Sequence, residues 1–174
     1  NSESNLSAPV IEKIIVGSLL HNPNFYTVVL PHSDESFFQD DANRTVYNII
    51  SSYVEKYSST PSKEAAEVEL ENMKGIPETT FQETSALLET LFRDDVRDTM
   101  KNQSLIWLLG KTEKYFQERA SLLAVMESLE ILDGKGKVSI EAIPDILKKA
   151  VSIKFMTDIG HDYLVDWEAR YAEY

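Results

Sequence analysis

The longest continuous apolar pattern in the chain lies at residues 103–132 and predicts a single long helix. Residues capable of packing recur there in steps of three and four, and a second apolar row runs beside the first. The first row comprises Leu105, Leu108, Thr112, Tyr115, Arg119, Leu122, Met126 and Leu129, and the second comprises Ile106, Leu109, Phe116, Leu123 and Ile131. At about 1.5 Å per residue this helix spans roughly 45 Å. We therefore expect it to protrude or to bind a partner.

The residues after this helix predict that the chain reverses direction. The sequence Asp133-Gly134-Lys135-Gly136-Lys137 is typical of a turn, because its two glycines can adopt positive φ. A second helix is expected over residues 140–155, with Ser139 as its N-cap. Its apolar face comprises Ile143, Ile146, Leu147, Ala150, Val151 and Ile153. Two helices joined by a short turn form an antiparallel α-hairpin, which we predict at residues 103–155.

The region before the hairpin, residues 9–98, predicts a helical globular subdomain. The first helix has Pro9 in its opening turn, the second and third are expected over residues 24–30 and 41–57, Ser62 caps the fourth and Pro77 opens the fifth. The first helix is apolar on most sides and should be buried. Residues 1–8 are polar, lack an initiator Met and are expected to be a flexible lead-in or the remnant of an expression tag. The expected fold class is therefore all-α.

The last stretch, residues 156–174, has an amphipathic and aromatic pattern. If it is helical, its contact residues are Tyr163, Leu164, Trp167 and Tyr171. Because the stretch follows a hairpin that is already closed, these side chains indicate a docking surface for a partner. The alternative, that the stretch folds back on its own domain, is equally compatible with the pattern.

Composition narrows the classes of function. Against 29 acidic residues the chain has 17 basic ones, a net charge of −12, so strong direct binding to DNA is not expected. The chain contains no cysteine, which excludes disulfides and fits a reducing cytosol. No apolar run is long enough to cross a bilayer, so no membrane association is expected. The acidic stretch at residues 64–98 is interpreted as a solvated face in preference to a metal site or a surface for a cationic partner.

No motif predicts catalysis or cofactor binding. Gly110-Lys111-Thr112 matches the end of a phosphate-binding loop, but Leu105 stands where the first glycine is required and the segment is apolar and helical. The three histidines, His21, His32 and His161, have no metal-ligand spacing. We therefore expect no catalytic residue, no bound cofactor and no metal in this polypeptide.

Several segments resemble the replicative helicases of T-even-like phages, members of the DnaB-type hexameric helicase family. On the long helix these are Lys111-Thr112-Glu113-Lys114-Tyr115 and Arg119-Ala120. Nearer the end of the chain they are residues 142–146, 150–153, 160–162 and 168–170. The opening, from Glu12 through residues 16–20, is similar to the start of DnaB-type helicases more broadly.

The resemblance implies an N-terminal domain in which hairpins pair between subunits of a hexamer, forming a collar that binds primase. The parent would be a 5′ to 3′ DNA helicase that uses ATP and magnesium in the cytoplasm of an infected bacterium. Its linker, here residues 156–174, would pack on the motor domain of the neighbouring subunit. The residues expected at the oligomer or partner interface are Tyr115, Phe116, Arg119, Leu122, Leu123, Met126, Ile146 and Ala150.

Two further expectations limit the activity and the interface predicted for this polypeptide. Motor motifs are absent from the 174 residues, so this polypeptide alone should neither hydrolyse ATP nor unwind DNA. Some of the predicted interface residues should instead close the hairpin internally. The alternative function is a free-standing acidic adaptor, such as a helicase loader or regulatory protein, whose hairpin binds a different protein.

Overall fold

The computed structural model describes residues 7–155, and every regular element within them is helical. The predicted all-α class is confirmed. The α-helices of this part are α1 (Ala8–His21), α2 (Pro23–Val29), α3 (Asp41–Tyr57), α4 (Lys63–Asn72), α5 (Glu78–Leu91), α6 (Asp94–Asn102), α7 (Leu105–Leu132) and α8 (Ile143–Ala150). Short 3-10 helices occupy Leu30–His32, Glu35–Phe37 and Ile140–Ala142.

The chain divides into two compact units, with the boundary between Leu108 and Leu109. Helix α7 runs across this boundary, so its first turn belongs to the first unit and the remainder to the second. The sequence had predicted a subdomain over residues 9–98 and a hairpin over 103–155, and those functional boundaries remain a prediction. One helix of the first unit, α6, was not predicted, because its short sequence has few apolar positions.

Polar side chains set where helices of the first unit begin. The Asn22 side chain accepts a hydrogen bond from the Phe25 amide at the start of α2, and Asp40 accepts one from Asn43 at the start of α3. Ser62 accepts one from the Ala65 amide at 3.1 Å, which confirms the predicted cap of α4. Each bond satisfies an amide that has no partner within its own helix.

The helices of the first unit pack in a closed ring. Helix α3 packs against α1 and α5, α5 packs against α4 and α6, and α6 packs against α1. The core consists of side chains that are almost completely inaccessible to solvent, among them Ile15, Leu19, Phe25, Val46, Ile50, Leu88 and Leu91. Each helix of the ring therefore buries apolar side chains against two others.

A buried carboxylate ties α1 to the start of α3. Glu12 is fully buried, and its side chain accepts hydrogen bonds from the backbone amides of Gln39 and Asp40, the latter at 3.1 Å. The side-chain amide of Asn43 lies 3.4 Å from the same carboxylate. A buried charge is tolerated only when such donors replace its hydration, so these three residues explain an acidic side chain in the core.

In the second unit, the predicted turn is confirmed and the predicted second helix is shorter than expected. Gly134 and Gly136 have φ of 72° and 123°, and the Lys135 amide bonds back to the Glu130 carbonyl. This pattern is a Schellman-type end to α7. Ser139 caps a 3-10 turn, and α8 then ends at Ala150 instead of continuing to residue 155. After α8, backbone groups of Ile153 and Phe155 hydrogen-bond to side chains of α7, as described below.

Candidate interaction surface

The second half of α7 carries a continuous stripe of exposed apolar side chains, which we call the α7 stripe. Its members are between 47% and 57% exposed, whereas large apolar side chains are normally buried. They are Leu122, Val125, Met126, Leu129 and Leu132. Spacings of three and four residues place all five on one face of the helix over three turns. Such a surface is typical of a site that binds another protein.

The opposite side of α7 is buried and is made of smaller side chains. Ala120, Ala124 and Ser128 follow one another at intervals of four, and all three are buried. The Ser128 hydroxyl donates to the Ala124 carbonyl at 2.7 Å, which satisfies its polar atom within the helix. Because α7 is apolar on both faces, packing of the buried face within one chain leaves the stripe available.

The predicted interface residues differ in how exposed they are in the structure. Leu122 and Met126 are exposed and belong to the α7 stripe, while Arg119, Leu123 and Ile146 are partly exposed. Tyr115, Phe116 and Ala150 are buried in the single chain, and Phe116 is completely inaccessible. A charged substitution at Phe116 is therefore expected to disrupt folding, so that position cannot test association.

The sequence analysis did not single out Val125, Leu129 and Leu132 as interface residues. The signal was present, since they continue the spacing of Leu122 and Met126 to the end of the helix. Two exposed apolar residues of the return segment, Leu147 and Val151, are also four residues apart. Both belong to the predicted apolar face of the second helix.

Two side chains on α7 bind the backbone of the segment that follows α8. Gln117 Nε2 donates to the Ile153 carbonyl at 2.5 Å, and the Phe155 amide donates to Glu113 Oε1 at 2.7 Å. These bonds bring residues 153–155 alongside α7. Beside them is an open groove of about 480 Å³, lined by Lys114, Gln117, Glu118, Ser121 and Val151.

Other predicted features lie outside the described residues or outside this surface. The predicted docking residues of the last stretch, Tyr163, Leu164, Trp167 and Tyr171, lie outside residues 7–155. Within that range no cluster of three or more acidic or histidine side chains has the arrangement of a metal site. None of the helices described is both long and apolar enough to cross a membrane.

The sequence of the chain is similar to that of a known protein. The chain is 32% identical over 171 residues to the DnaB-like replicative helicase of Enterobacteria phage T4. The chain is homologous to a phage DnaB-like replicative helicase. The similarity predicted from the sequence is thereby confirmed, and it covers 93% of this chain.

The alignment covers only part of the T4 helicase. The chain spans about a third of that protein, 34% of its length, and the matching part is the N-terminal third. The α7 stripe and the two residues that bind the return segment lie on one helix within this homologous region. No protein-family model matches the chain.

Proposed function

We propose that this polypeptide acts as the N-terminal domain of a DnaB-like replicative helicase in phage DNA replication, and that it mediates self-association and primase binding. The observation that carries the proposal is the match of nearly the whole chain to the N-terminal third of the T4 helicase. On this proposal the activity of the parent, ATP-dependent 5′ to 3′ unwinding with magnesium, resides in other parts of the protein. The polypeptide would act in the cytoplasm of the infected host.

The α7 stripe supports the self-association part of the proposal. Five apolar side chains on three consecutive turns form a surface that gains free energy when a second copy covers it, at about 25 cal/mol for each Å² of apolar area removed from water. Helices with stripes of this width pair by inserting their side chains between those of a partner helix. A dimer or a higher assembly built on this face would leave the first unit's closed core unchanged.

The primase part of the proposal is supported by the resemblance alone. Primase would bind to the assembly, either on the first unit or on the second. With sixteen acidic and eight basic side chains between residues 7 and 108, the first unit favours a partner surface rich in lysine and arginine. That partner would bind less tightly as the salt concentration rises.

The test of self-association is the native mass measured by light scattering over a hundredfold range of concentration. We expect the wild-type chain to form a dimer or hexamer. The double variant Leu122→Asp and Met126→Asp should remain folded and lose at least tenfold in association, because it places two charges in the apolar contact. Unchanged helicity by circular dichroism would show that the variant is folded.

A matched control comes from the first unit. Val68 on α4 is 53% exposed, close to the exposure of Leu122 and Met126, but it lies outside the α7 stripe. Val68→Asp should leave the native mass unchanged. An equal loss of association in Val68→Asp, or none in the double variant, would contradict the assignment of the stripe.

A wild-type chain that stays monomeric at all concentrations would contradict self-association of this polypeptide. It would favour the adaptor alternative, in which the stripe binds a different protein. Primase binding is tested by titrating the purified phage primase into this chain at two salt concentrations. ATP hydrolysis by the chain alone is not expected, and measurable turnover would overturn that part of the proposal.

A further inference from the structure

Residues 153–155 follow α8 without regular secondary structure and are hydrogen-bonded to α7. The exposure of its last described residues alternates, with Ile153 partly exposed, Lys154 exposed and Phe155 only 2% exposed. This alternation is typical of an extended segment in which every second side chain faces the interior. The burial of Phe155 fixes the segment at one point, but a single apolar contact does not determine the direction of the backbone.

Two hydrogen bonds from Glu113 and Gln117 determine the direction of the backbone at residues 153–155. Glu113 and Gln117 are four residues apart on α7, so their side chains lie on the same face, one turn apart. They bind the Phe155 amide and the Ile153 carbonyl, respectively, which are backbone groups two residues apart. The acceptor side chain and the donor side chain therefore match an extended backbone as a neighbouring β-strand would.

The face that holds this segment is opposite to the α7 stripe. At about 100° per residue, Glu113 lies about half a turn of the helix away from Leu122, nine residues later. A partner on the stripe would therefore not compete with the segment for the same face of α7. The arrangement separates the surface available for association from the site where the chain departs.

We infer that Glu113 and Gln117 are positioning residues that form a backbone clip, fixing where and in which direction the chain leaves α7. The clip holds the backbone of residues 153–155 on the side of α7 away from the stripe. Its consequence in a helicase, which rests on the proposed function, is that residues 153–155 keep a fixed position relative to the associating surface. The clip itself is a property of this chain and does not depend on that function.

The first test of the clip is amide hydrogen exchange at Phe155, measured by NMR on the 174-residue chain. The wild-type amide should be strongly protected. Glu113→Ala removes the acceptor and should accelerate exchange at this amide at least tenfold. Glu113→Gln keeps a side-chain oxygen at the same position and should restore most of the protection. Exchange in the middle of α7 should change little in either variant.

A second measurement separates positioning from general stability. The chain has no cysteine, so single cysteines placed at the exposed positions Glu127 and Lys154 can be spin-labelled selectively. In the Gln117→Ala background the distribution of distances between the labels should broaden, while helicity stays unchanged. Glu130→Ala, an exposed acidic position on the same helix, serves as the control and should leave the distribution narrow.

Two outcomes would overturn the clip. One is rapid exchange of the Phe155 amide in the wild type, and the other is an unaltered distance distribution in Gln117→Ala. Neither outcome bears on the proposed function, which is tested by native mass and primase binding. A chain that fails to associate but retains a protected Phe155 amide would keep the clip and contradict the self-association proposal.

Discussion

The two units of this chain use their apolar residues in opposite ways. The first unit closes a ring of helices around its core and, apart from the buried Glu12, carries its charged side chains outside that core, with an excess of eight acidic side chains over residues 7–108. The second unit, over residues 109–155, has seven acidic and eight basic side chains and leaves the α7 stripe exposed. The difference is that the first unit buries its core apolar side chains between its own helices, whereas the second leaves a row of apolar side chains exposed.

The largest effect that tests this contrast is the loss of a core side chain. Leu88 on α5 is completely buried, so Leu88→Ala should lower the free energy of unfolding of the first unit by about 2–5 kcal/mol. Leu129→Ala in the stripe removes the same atoms from a side chain that is 56% exposed and should cost less than about 0.5 kcal/mol in the monomer. Native-state hydrogen exchange resolves the two units separately. Equal losses of unfolding free energy in Leu88→Ala and Leu129→Ala would contradict the distinction between a closed core in the first unit and an exposed stripe in the second.

The buried carboxylate of Glu12 provides the next largest effect. Glu12→Ala leaves the amides of Gln39 and Asp40 without their acceptor, and the expected loss is about 1–3 kcal/mol. Glu12→Gln retains one oxygen and should lose less. Urea denaturation at pH 7 measures both variants. A stable Glu12→Ala protein would mean that water replaces the carboxylate, and that the link between α1 and α3 contributes little.

Gly17 and Gly110 both lie in helices, one in each unit. Substitution by alanine should change the free energy of unfolding in opposite directions at the two positions. A Cβ on Gly17 of α1 would lie 3.2 Å from atoms of Leu91 and Met100, so Gly17→Ala requires those neighbours to move. A Cβ on Gly110 of α7 would meet nothing within 4 Å. Gly110→Ala should therefore stabilise the helix by about 1 kcal/mol, and Gly17→Ala should destabilise the first unit. Thermal unfolding of both variants, with the wild type as reference, gives the signs.

The smallest expected effect is a pH dependence confined to the first unit. His21 Nε2 lies 2.8 Å from the Leu91 carbonyl and its ring contacts Phe92 edge-on. Burial, and to a lesser extent the positive charge of Arg97, lower the pKa of His21 below its usual value, although the Leu91 carbonyl opposes this shift. The unfolded chain therefore binds a proton more readily than the folded chain. Stability should fall slightly as the pH drops below about 6.5.

The comparison of His21→Gln with the wild type isolates this contribution, because the two proteins differ only at this side chain. The difference in stability between the two proteins should depend on pH only below about 6.5. A difference that stays constant from pH 7 to pH 5 would show that the His21 ring remains accessible to water in the folded unit.

The sequence predicted the long helices well because their signals are local. The limits of α3 and the cap at Ser62 follow from side chains within a few residues of each helix end. The turn at Gly134 is equally local, because only a residue that tolerates positive φ fits there. Helix α6 was missed because its nine-residue sequence is mostly polar and contains no buried residue, so its packing against α1 has no clear signal in the local pattern.

The candidate surface was only partly predictable, because exposure depends on contacts that are distant in sequence. The spacing identified Leu122, Met126 and Phe116 equally well as apolar positions of the long helix. Only the structure distinguishes the exposed Met126 from the buried Phe116. The position of residues 153–155 beside α7 had no sequence signal, since the Gln117 and Glu113 side chains that bind them are 36 and 42 positions away.

The contact between α1 and α6 has a consequence for how the first unit could be re-engineered. Gly17 lies close to Met100, and His21 lies near Arg97, so the two helices run in opposite directions. The start of α1 and the end of α6 are therefore at the same end of the ring. If the chain is cut after α6, a circular permutation that joins these two ends through a short flexible connection and opens the chain between α3 and α4 should preserve the packing of these helices. The order of the helices along the chain would change while their neighbours in space stay the same.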